Sequence, residues 1–252
     1  MSGKYTFFNE GFFGFGEAGN FKAFSLMHFI PILLCIGALV LVWKKRDDIA
    51  NWEGEKHFRF ALSVIMFFLE FSYYIRLLYI GDLSGNYMLL SEMPLDVCDL
   101  GIIVCIFMIT SKYRFLFGVN FYVSLFGATL ACILPQTAIS DAGPSYFRYY
   151  QFFGAHLLPI FCTIYMMMVH KMKPRYKDIW ISCAFLLVLL FPALKLNKEY
   201  IGFDYLFMRM DIPFIPSDLN ARAVIYSVLV LVVFHIMWFV WSAFDKKRGK
   251  DK

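Results

Sequence analysis

The sequence predicts an all-helical membrane protein whose helices form a bundle across a bilayer. Of its 252 residues, 60% are hydrophobic and only 17% are charged. Soluble domains average about 45–50% apolar and about 25% charged residues. The apolar residues are also grouped in runs close to the roughly 20 residues that a helix needs to cross the hydrocarbon core. This composition excludes a disordered chain, a coiled coil and an ordinary soluble enzyme.

Seven apolar runs define one integral membrane domain over residues 1–252. The predicted spans are 24–43, 60–80, 95–110, 115–134, 147–169, 179–194 and 223–244. The third and sixth runs are the shortest, so a bundle of six spans with one re-entrant segment is the alternative. The longest connection, 195–222, is too short to hold a soluble domain.

Lys and Arg are concentrated in alternate connections, which predicts the orientation because cytoplasmic segments of membrane proteins are enriched in these residues. With the C-terminus inside, the inner segments hold 16 of the 24 Lys and Arg and the outer segments hold 7. The inner residues are distributed as five in 44–59, two in 111–114, four in 171–177 and five in 246–252. We therefore expect the N-terminus outside. The net charge of +5 follows from this topology and does not indicate nucleic acid binding.

The six cysteines predict neither a disulfide framework nor a metal site. They all lie in or beside apolar runs, and no two of them form a CxxC pair. We expect no metal and no other cofactor.

Ionisable side chains inside the apolar runs mark the interior of the bundle. A charge at the centre of a bilayer costs about 2.5–3.5 kcal/mol on insertion scales. The second run contains Glu70 and Arg76, with Tyr73 and Tyr74 between them. Glu70 and Tyr74 are four residues apart and share a helix face. The set is typical either of a hydrogen-bonded pair that locks two helices or of a proton relay that supports a reacting group.

The third run begins with Pro94, Asp96, Cys98 and Asp99. Proline and carboxylates are expected in the first turn of a helix, so capping accounts for both aspartates. Capping does not account for Cys98, which lies about one turn below the predicted outer surface. A helix N-terminus favours the thiolate of a nearby cysteine, but the adjacent carboxylates oppose it. A reactive Cys98 would need a base from another helix, and inert packing is the alternative.

The fifth run offers such a base in His156, about two turns below the same surface and close to Gly154. Gln151 and Arg148 are candidate neighbours for an oxyanion and a phosphate. A cysteine and a histidine are the minimal equipment for nucleophilic acyl transfer, in which histidine takes the thiol proton and the thiolate attacks a carbonyl. A histidine that only hydrogen-bonds two helices together is the alternative interpretation.

Three segments, 94–100, 147–156 and 203–208, resemble the bacterial YwaF integral membrane family, which is related to eukaryotic transmembrane protein 164. They occur in the family's order and spacing, and the resemblance extends from about residue 60 to the seventh span. It implies a membrane-embedded lipid acyltransferase or transacylase with Cys98 as the nucleophile and His156 as the base. More distant relatives, the androgen-induced fatty-acid-ester hydrolases, use a threonine and a histidine.

The chain departs from the family pattern at Asp96, where relatives usually have histidine, and at Asp204, where they usually have asparagine. We expect the supporting residues of the site to be Asp96, Asp99, Glu70, Tyr74, Gln151 and Asp204. We expect the substrate-binding residues to be Arg148, Tyr149 and Arg209. The resemblance also implies a multi-pass protein of the bacterial plasma membrane with a membrane lipid as its substrate.

Other functions stay open at this point. A lipid ester hydrolase would use the same residues with water as the acceptor. A non-catalytic binder or transporter of an amphiphile would use Glu70, Asp96, Asp99, Asp204 and Asp211 to line a polar or cation-binding cavity, and a scaffold protein would depend on none of them. Replacing the histidine would abolish an enzyme and only weaken a binder. We make no prediction of the acyl donor, the acceptor or the oligomeric state.

Overall fold

A computed structural model describes residues 12–13, 21–80, 93–135, 143–200 and 202–250, except for the side chains of 76–80 and 246–250. In this part of the chain we find seven α-helices, one short 3-10 helix and no β-strand. The helices are α1 Leu26–Ala50, α2 Glu55–Ile80, α3 Val97–Ser111, α4 Arg114–Ile133, α5 Phe147–Met168, α6 Lys177–Glu199 and α7 Leu219–Lys250, with the 3-10 helix at Tyr205–Phe207. The predicted all-helical bundle is confirmed. The side chain of Arg76 lies outside the described residues.

Six of the seven helices are long and apolar enough to cross a membrane, so the chain is a multi-pass membrane protein. The exception is α3, whose 15 residues extend only about 22 Å, against a hydrocarbon thickness of roughly 30 Å. The sixth helix is longer than its apolar run, with 23 residues, because polar residues at both ends continue the helical hydrogen bonding. Which end of the bundle faces the cytoplasm stays a prediction.

The short helix α3 lies inside the bundle, in contact with α2, α4 and α5. The central helices are α4, which also packs on α5 and α6, and α5, which also packs on α1 and α2. The first and last helices are peripheral, since α1 packs on α5 and α7 packs on α6. The start of α3, which carries Cys98, is therefore surrounded by helices on several sides.

Contacts between connections define two ends of the bundle. We call the end formed by residues 50–55, 111–114 and 168–177 the basic end, and the opposite end, with residues 93–96, 143–147 and 202–218, the loop end. At the basic end, Arg59 of α2 donates hydrogen bonds to the last carbonyl groups of α3. Nε2 of His170 lies 2.6 Å from Oε1 of Glu55, and the His170 side chain is 16% exposed.

Two arginines organise the long connection between α6 and α7. Arg222 is 3% exposed and donates to the backbone carbonyls of Met208, Met210 and Pro216. Arg209 donates to the carbonyl of Phe203 and to the end of α6. Because carbonyl groups of an irregular segment must find donors when they are buried, these guanidinium groups fix the loop in place. The loop thereby comes to lie over the start of α3.

Candidate functional site

Cys98 is a partly buried residue in the first turn of α3. A methyl group added at Gly127 of α4 would lie 3.1 Å from Cγ1 of Val97 and 3.9 Å from Sγ of Cys98, so this glycine lets α4 pack closely on Val97, beside the thiol. The electrostatic neighbours of the thiol are Asp99, Asp96, Cys132 and Glu70. Three of these four are carboxyl groups, so negative charge from α2 and from the start of α3 acts on the thiol.

Asp96 anchors the loop between α6 and α7. It occupies the N-cap position of α3, but its side chain makes no capping hydrogen bond with that helix. Instead, its Oδ1 accepts a hydrogen bond of 2.8 Å from the backbone N–H of Leu206. Leu206 has a positive φ of 61°, a conformation that costs energy for a residue with a β-carbon. The carboxylate at the mouth of α3 therefore stabilises a strained turn of the loop.

His156 holds one of its ring nitrogens ready to act as a base. Its Nδ1 lies 2.7 Å from the backbone carbonyl oxygen of Phe152, one turn earlier in α5. Because a carbonyl oxygen only accepts hydrogen bonds, we assign the proton to Nδ1, which leaves a lone pair on Nε2.

Two other histidines of the membrane-spanning helices, His28 and His235, differ at this second nitrogen, whereas His57 is exposed near the start of α2. His28 contacts a backbone group with each ring nitrogen, and Nε2 of His235 lies 3.3 Å from the hydroxyl of Tyr176. Nε2 of His156 has no hydrogen-bond partner among the described residues. Among the three histidines of these helices that are not exposed, His156 is thus the one whose second nitrogen has no partner in the described part of the chain.

Arg148 connects His156 with the acidic part of the site. Its guanidinium lies 4.5 Å from the ring centroid of Tyr73 and donates a hydrogen bond to Oε1 of Gln151. It also interacts electrostatically with both Glu70 and His156. A cation in this position balances the negative charge of Glu70.

Close packing of α2 on α5 fixes these side chains. The Nε2 of Gln151 donates a hydrogen bond of 3.3 Å to the carbonyl of Leu69. A methyl group added at Gly154 would lie 2.8 Å from Cδ1 of Leu69, so the absence of a side chain there permits the contact. Both polar atoms of Gln151 already have partners, which gives this residue a positioning role for Arg148.

Glu70 has Arg148 as an electrostatic neighbour, and its carboxyl group is in turn among the electrostatic neighbours of Cys98. The residue is only 9% exposed, and its Oε1 is buried without a hydrogen-bond partner in the described part of the chain. Tyr74 shares its helix face, but no hydrogen bond joins the two side chains among the described residues.

The remaining predicted residues make contacts that stabilise the fold. The hydroxyl of Tyr149 donates to the backbone carbonyl of Met27, at 2.5 Å, and so holds α1 against α5. Asp204 accepts a hydrogen bond of 2.5 Å from the backbone N–H of Arg209, inside the loop. Substrate binding by Tyr149 and Arg209 stays a prediction.

The structure links the predicted residues only in pairs: Glu70 acts electrostatically on Cys98, and Arg148 acts on Glu70 and on His156. No hydrogen bond joins Cys98 to His156 within the described part of the chain. Their pairing stays a prediction.

Sequence reasoning missed two neighbours of the thiol, Gly127 and Cys132. Glycine inside a helix costs about 1 kcal/mol relative to alanine, so Gly127 could have been read as a site of close approach. No comparable signal marks Cys132. Among the described residues, no group of three or more His, Cys, Asp and Glu side chains could hold a metal ion.

Comparison with known proteins identifies the family to which the chain belongs. The profile of the TMEM164 family matches residues 23–244, a range that begins before α1 and ends within α7. The chain belongs to the TMEM164 family. No curated protein and no solved structure is similar enough to count as a match. The expected relation to transmembrane protein 164 is confirmed, and the likeness to the bacterial YwaF proteins stays a resemblance.

Proposed function

We propose that this member of the TMEM164 family is a membrane-embedded acyltransferase or transacylase that uses Cys98 and His156. Its substrate is a phospholipid or a lipid-linked molecule, from which it moves a fatty acyl chain to a second such molecule. The observation that most supports this proposal is the state of His156, whose Nδ1 is occupied by a carbonyl and whose Nε2 has no partner in the described chain. That arrangement is the tautomer that a general base requires.

The proposed reaction begins with removal of the Cys98 thiol proton by Nε2 of His156. The thiolate attacks the ester carbonyl carbon of the donor lipid, a C–S bond forms, and the ester C–O bond breaks. The imidazolium returns the proton to the departing oxygen, so that a thioester and a lipid alcohol result. A hydroxyl of the acceptor then attacks the thioester carbonyl carbon and forms the new ester C–O bond. The C–S bond breaks, and the hydroxyl proton passes to the sulfur of Cys98, which restores the thiol. The separation of Cys98 and His156 in the free protein has to shorten for the first step, as often happens when a substrate binds.

A membrane lipid reaches this site from the side, between helices, at the loop end of the bundle. We assign its phosphate to the guanidinium of Arg148, because arginine pairs well with phosphate oxygens and this side chain is held in place by Gln151 and Tyr73. With the proposed topology, the loop end faces the outer leaflet of the bacterial plasma membrane.

Hydrolysis of a lipid ester is the second candidate. The observation in its favour is that no hydrogen bond joins Cys98 to His156 in the described part of the chain. A histidine with an unbonded Nε2 can activate a water molecule without help from a thiol. Transfer and hydrolysis then differ in whether Cys98 is required.

The test uses the purified chain in nanodiscs that contain a phospholipid with a labelled acyl chain and an unlabelled lysophospholipid. Cys98→Ala and His156→Ala should each abolish label transfer, and the double variant should be no worse, because residues that act as a unit are not additive. Cys183→Ala is the matched control for the thiol, since Cys183 is also partly buried. His235→Ala is the control for the histidine, because its Nδ1 makes the same contact one turn back, at 2.8 Å.

Three results would change the assignment. Undiminished transfer in both single variants rejects the pair. Release of free labelled fatty acid that survives Cys98→Ala but not His156→Ala selects the hydrolase. Lipid binding without any turnover in the unmodified protein selects a binder.

A further inference from the structure

Glu70 differs from the other buried carboxyl groups that the structure describes in lacking partners. Glu55 is 6% exposed and accepts hydrogen bonds from Arg59 and Tyr165. Asp178 is 3% exposed and bonds to Arg114 and to a backbone N–H. Glu70 is 9% exposed, yet its buried Oε1 has no partner in the described chain. Buried polar atoms are almost always satisfied, so an oxygen of this kind indicates a group that arrives from outside.

Glu70 lies on the part of α2 that packs against α5, next to Leu69, whose carbonyl accepts the hydrogen bond from Gln151. Its electrostatic neighbours include Arg148 on α5, and it is itself a neighbour of Cys98 on α3. The contact of Leu69 with Gln151 and Gly154 holds this part of α2 against α5, so the carboxyl group is set on a rigid element. His156, by contrast, is a neighbour of Arg148, and no hydrogen bond ties it to the thiol among the described residues.

We propose that Glu70 is a second catalytic residue, whose Oε1 accepts a hydrogen bond from the hydroxyl group of the acyl acceptor and then takes its proton. This inference rests on the proposed function and concerns its second half, the breakdown of the thioester on Cys98. The ligand class is an amphiphile with a free hydroxyl group, and the guanidinium of Arg148 binds the phosphate of the same molecule.

The step balances without any further reactant. The acceptor oxygen forms a bond to the acyl carbon of the thioester as its proton passes to the Glu70 carboxylate. The C–S bond then breaks, and its electron pair stays on the sulfur of Cys98. The proton moves from the Glu70 carboxyl to that thiolate. The ester product has then formed, and the thiol of Cys98 and the carboxylate of Glu70 are restored.

We assign His156 and Glu70 to different half-reactions because each lies near a different reacting group. His156 accepts the thiol proton and returns it to the leaving oxygen of the donor, which completes the first half-reaction. Glu70 serves the second half because a hydroxyl that attacks at the sulfur has to approach among the groups around Cys98, and Glu70 carries the unsatisfied acceptor there. Water would use the same oxygen if no alcohol were bound.

The test separates formation of the acyl-enzyme from its breakdown. The chain is reconstituted in phosphatidylglycerol nanodiscs with a trace of phosphatidylglycerol that carries a labelled acyl chain. Protein-bound label that hydroxylamine removes and that Cys98→Ala abolishes measures the thioester. Lysophosphatidylglycerol is then added, and the loss of bound label is followed in the unmodified protein, in Glu70→Gln and in Glu53→Gln, a control at an exposed glutamate.

We expect Glu70→Gln to form the thioester at the normal rate and to release it about 10²–10⁴-fold more slowly, which is the usual contribution of a general base. Release at the normal rate overturns the role of Glu70 and leaves the proposed function intact. No labelled Cys98 in the unmodified protein overturns both. If Glu70→Gln does not fold, Glu70→Asp replaces it, and release should slow by up to about 10²-fold because the carboxylate is withdrawn by roughly 1 Å. Release from Glu70→Asp at the normal rate overturns the role equally.

Discussion

Replacement of Glu55 by alanine is expected to destabilise the basic end of the bundle more than any change at its surface. The carboxylate accepts hydrogen bonds from Nε of Arg59 at 2.8 and 3.0 Å and from the hydroxyl of Tyr165 at 2.9 Å, and Nε2 of His170 lies 2.6 Å away. The Arg59 side chain is 4% exposed, and the Glu55 side chain is 9% exposed. One acidic group therefore holds together side chains from α2, from α5 and from the segment after α5.

The size of the effect follows from what the substitution leaves behind. Without Glu55, the guanidinium of Arg59 stays buried, because its Nη1 is still bonded to the carbonyls of Ile109 and Thr110 at the end of α3. Removing one partner of a buried ion pair costs about 3–5 kcal/mol. For a chain of this size, 1 kcal/mol corresponds to about 2–4 °C in melting temperature, so Glu55→Ala should lower it by roughly 6–20 °C.

Thermal melts with a thiol-reactive dye measure this directly in detergent, because Cys105 and Cys162 are buried in the core and react only after unfolding. Glu53→Ala is the control, since that side chain is exposed two residues earlier. A melting temperature of Glu55→Ala within about 2 °C of the unmodified protein would refute the reasoning, because a shift that small is worth less than about 1 kcal/mol.

Three further predictions concern pH, an unused hydroxyl and topology. Burial lowers the pKa of His170 below 6.5, so the unfolded chain binds the proton first and stability should fall as pH drops below about 6.5. Melts at pH 5.5 and 7.5 should show a smaller loss for His170→Gln than for the unmodified protein or for His57→Gln, and an equal loss would contradict this. Tyr122→Phe removes a buried hydroxyl without a partner in the described chain, so melts should show unchanged or higher stability, by up to about 1–3 kcal/mol, whereas a loss above about 1 kcal/mol would mean that the hydroxyl is bonded. Cysteines introduced at Gly85, which lies outside the described residues, and at Gly249 should react with an impermeant reagent from opposite sides of the membrane, and labelling of both from one side would reject the topology.

Apolar runs were sufficient to predict the helices because membrane helices must satisfy their backbone hydrogen bonds internally. Each predicted run overlaps one observed helix, and the ends differ where polar residues continue the helix, as in Lys177–Glu199. Hydropathy could not predict that the short helix α3 would lie inside the bundle, because the packing order depends on contacts between helices. Gly127 and Gly154 show this, since each lets a neighbouring helix approach at a place that its own sequence does not specify.

The site was predictable in part, because ionisable groups inside apolar runs are costly and therefore few. That reasoning selected Glu70 and His156, and both lie in the described neighbourhood of Arg148. It predicted that the side chain of Asp96 caps α3. The carboxylate instead accepts a hydrogen bond from the backbone N–H of Leu206, 110 residues later in the chain. A contact of that kind depends on the folded loop and leaves no local pattern.

The two ends of the bundle use buried charge in different ways, and the difference identifies where chemistry can occur. At the basic end, Glu55 has a partner from each neighbouring element, so its oxygens have little to offer a ligand. In the half of the bundle nearer the loop end, the carboxyl group of Glu70 and the imidazole of His156 each keep one atom unbonded in the described chain. The buried, unsatisfied Oε1 of Glu70 costs free energy in the empty protein, and a substrate that supplies the missing partner recovers it on binding. Buried charged groups with all their hydrogen bonds made therefore stabilise the fold at the basic end. Polar atoms without a hydrogen-bond partner in the other half favour a bound lipid with a hydroxyl or an ester group between α2, α3 and α5.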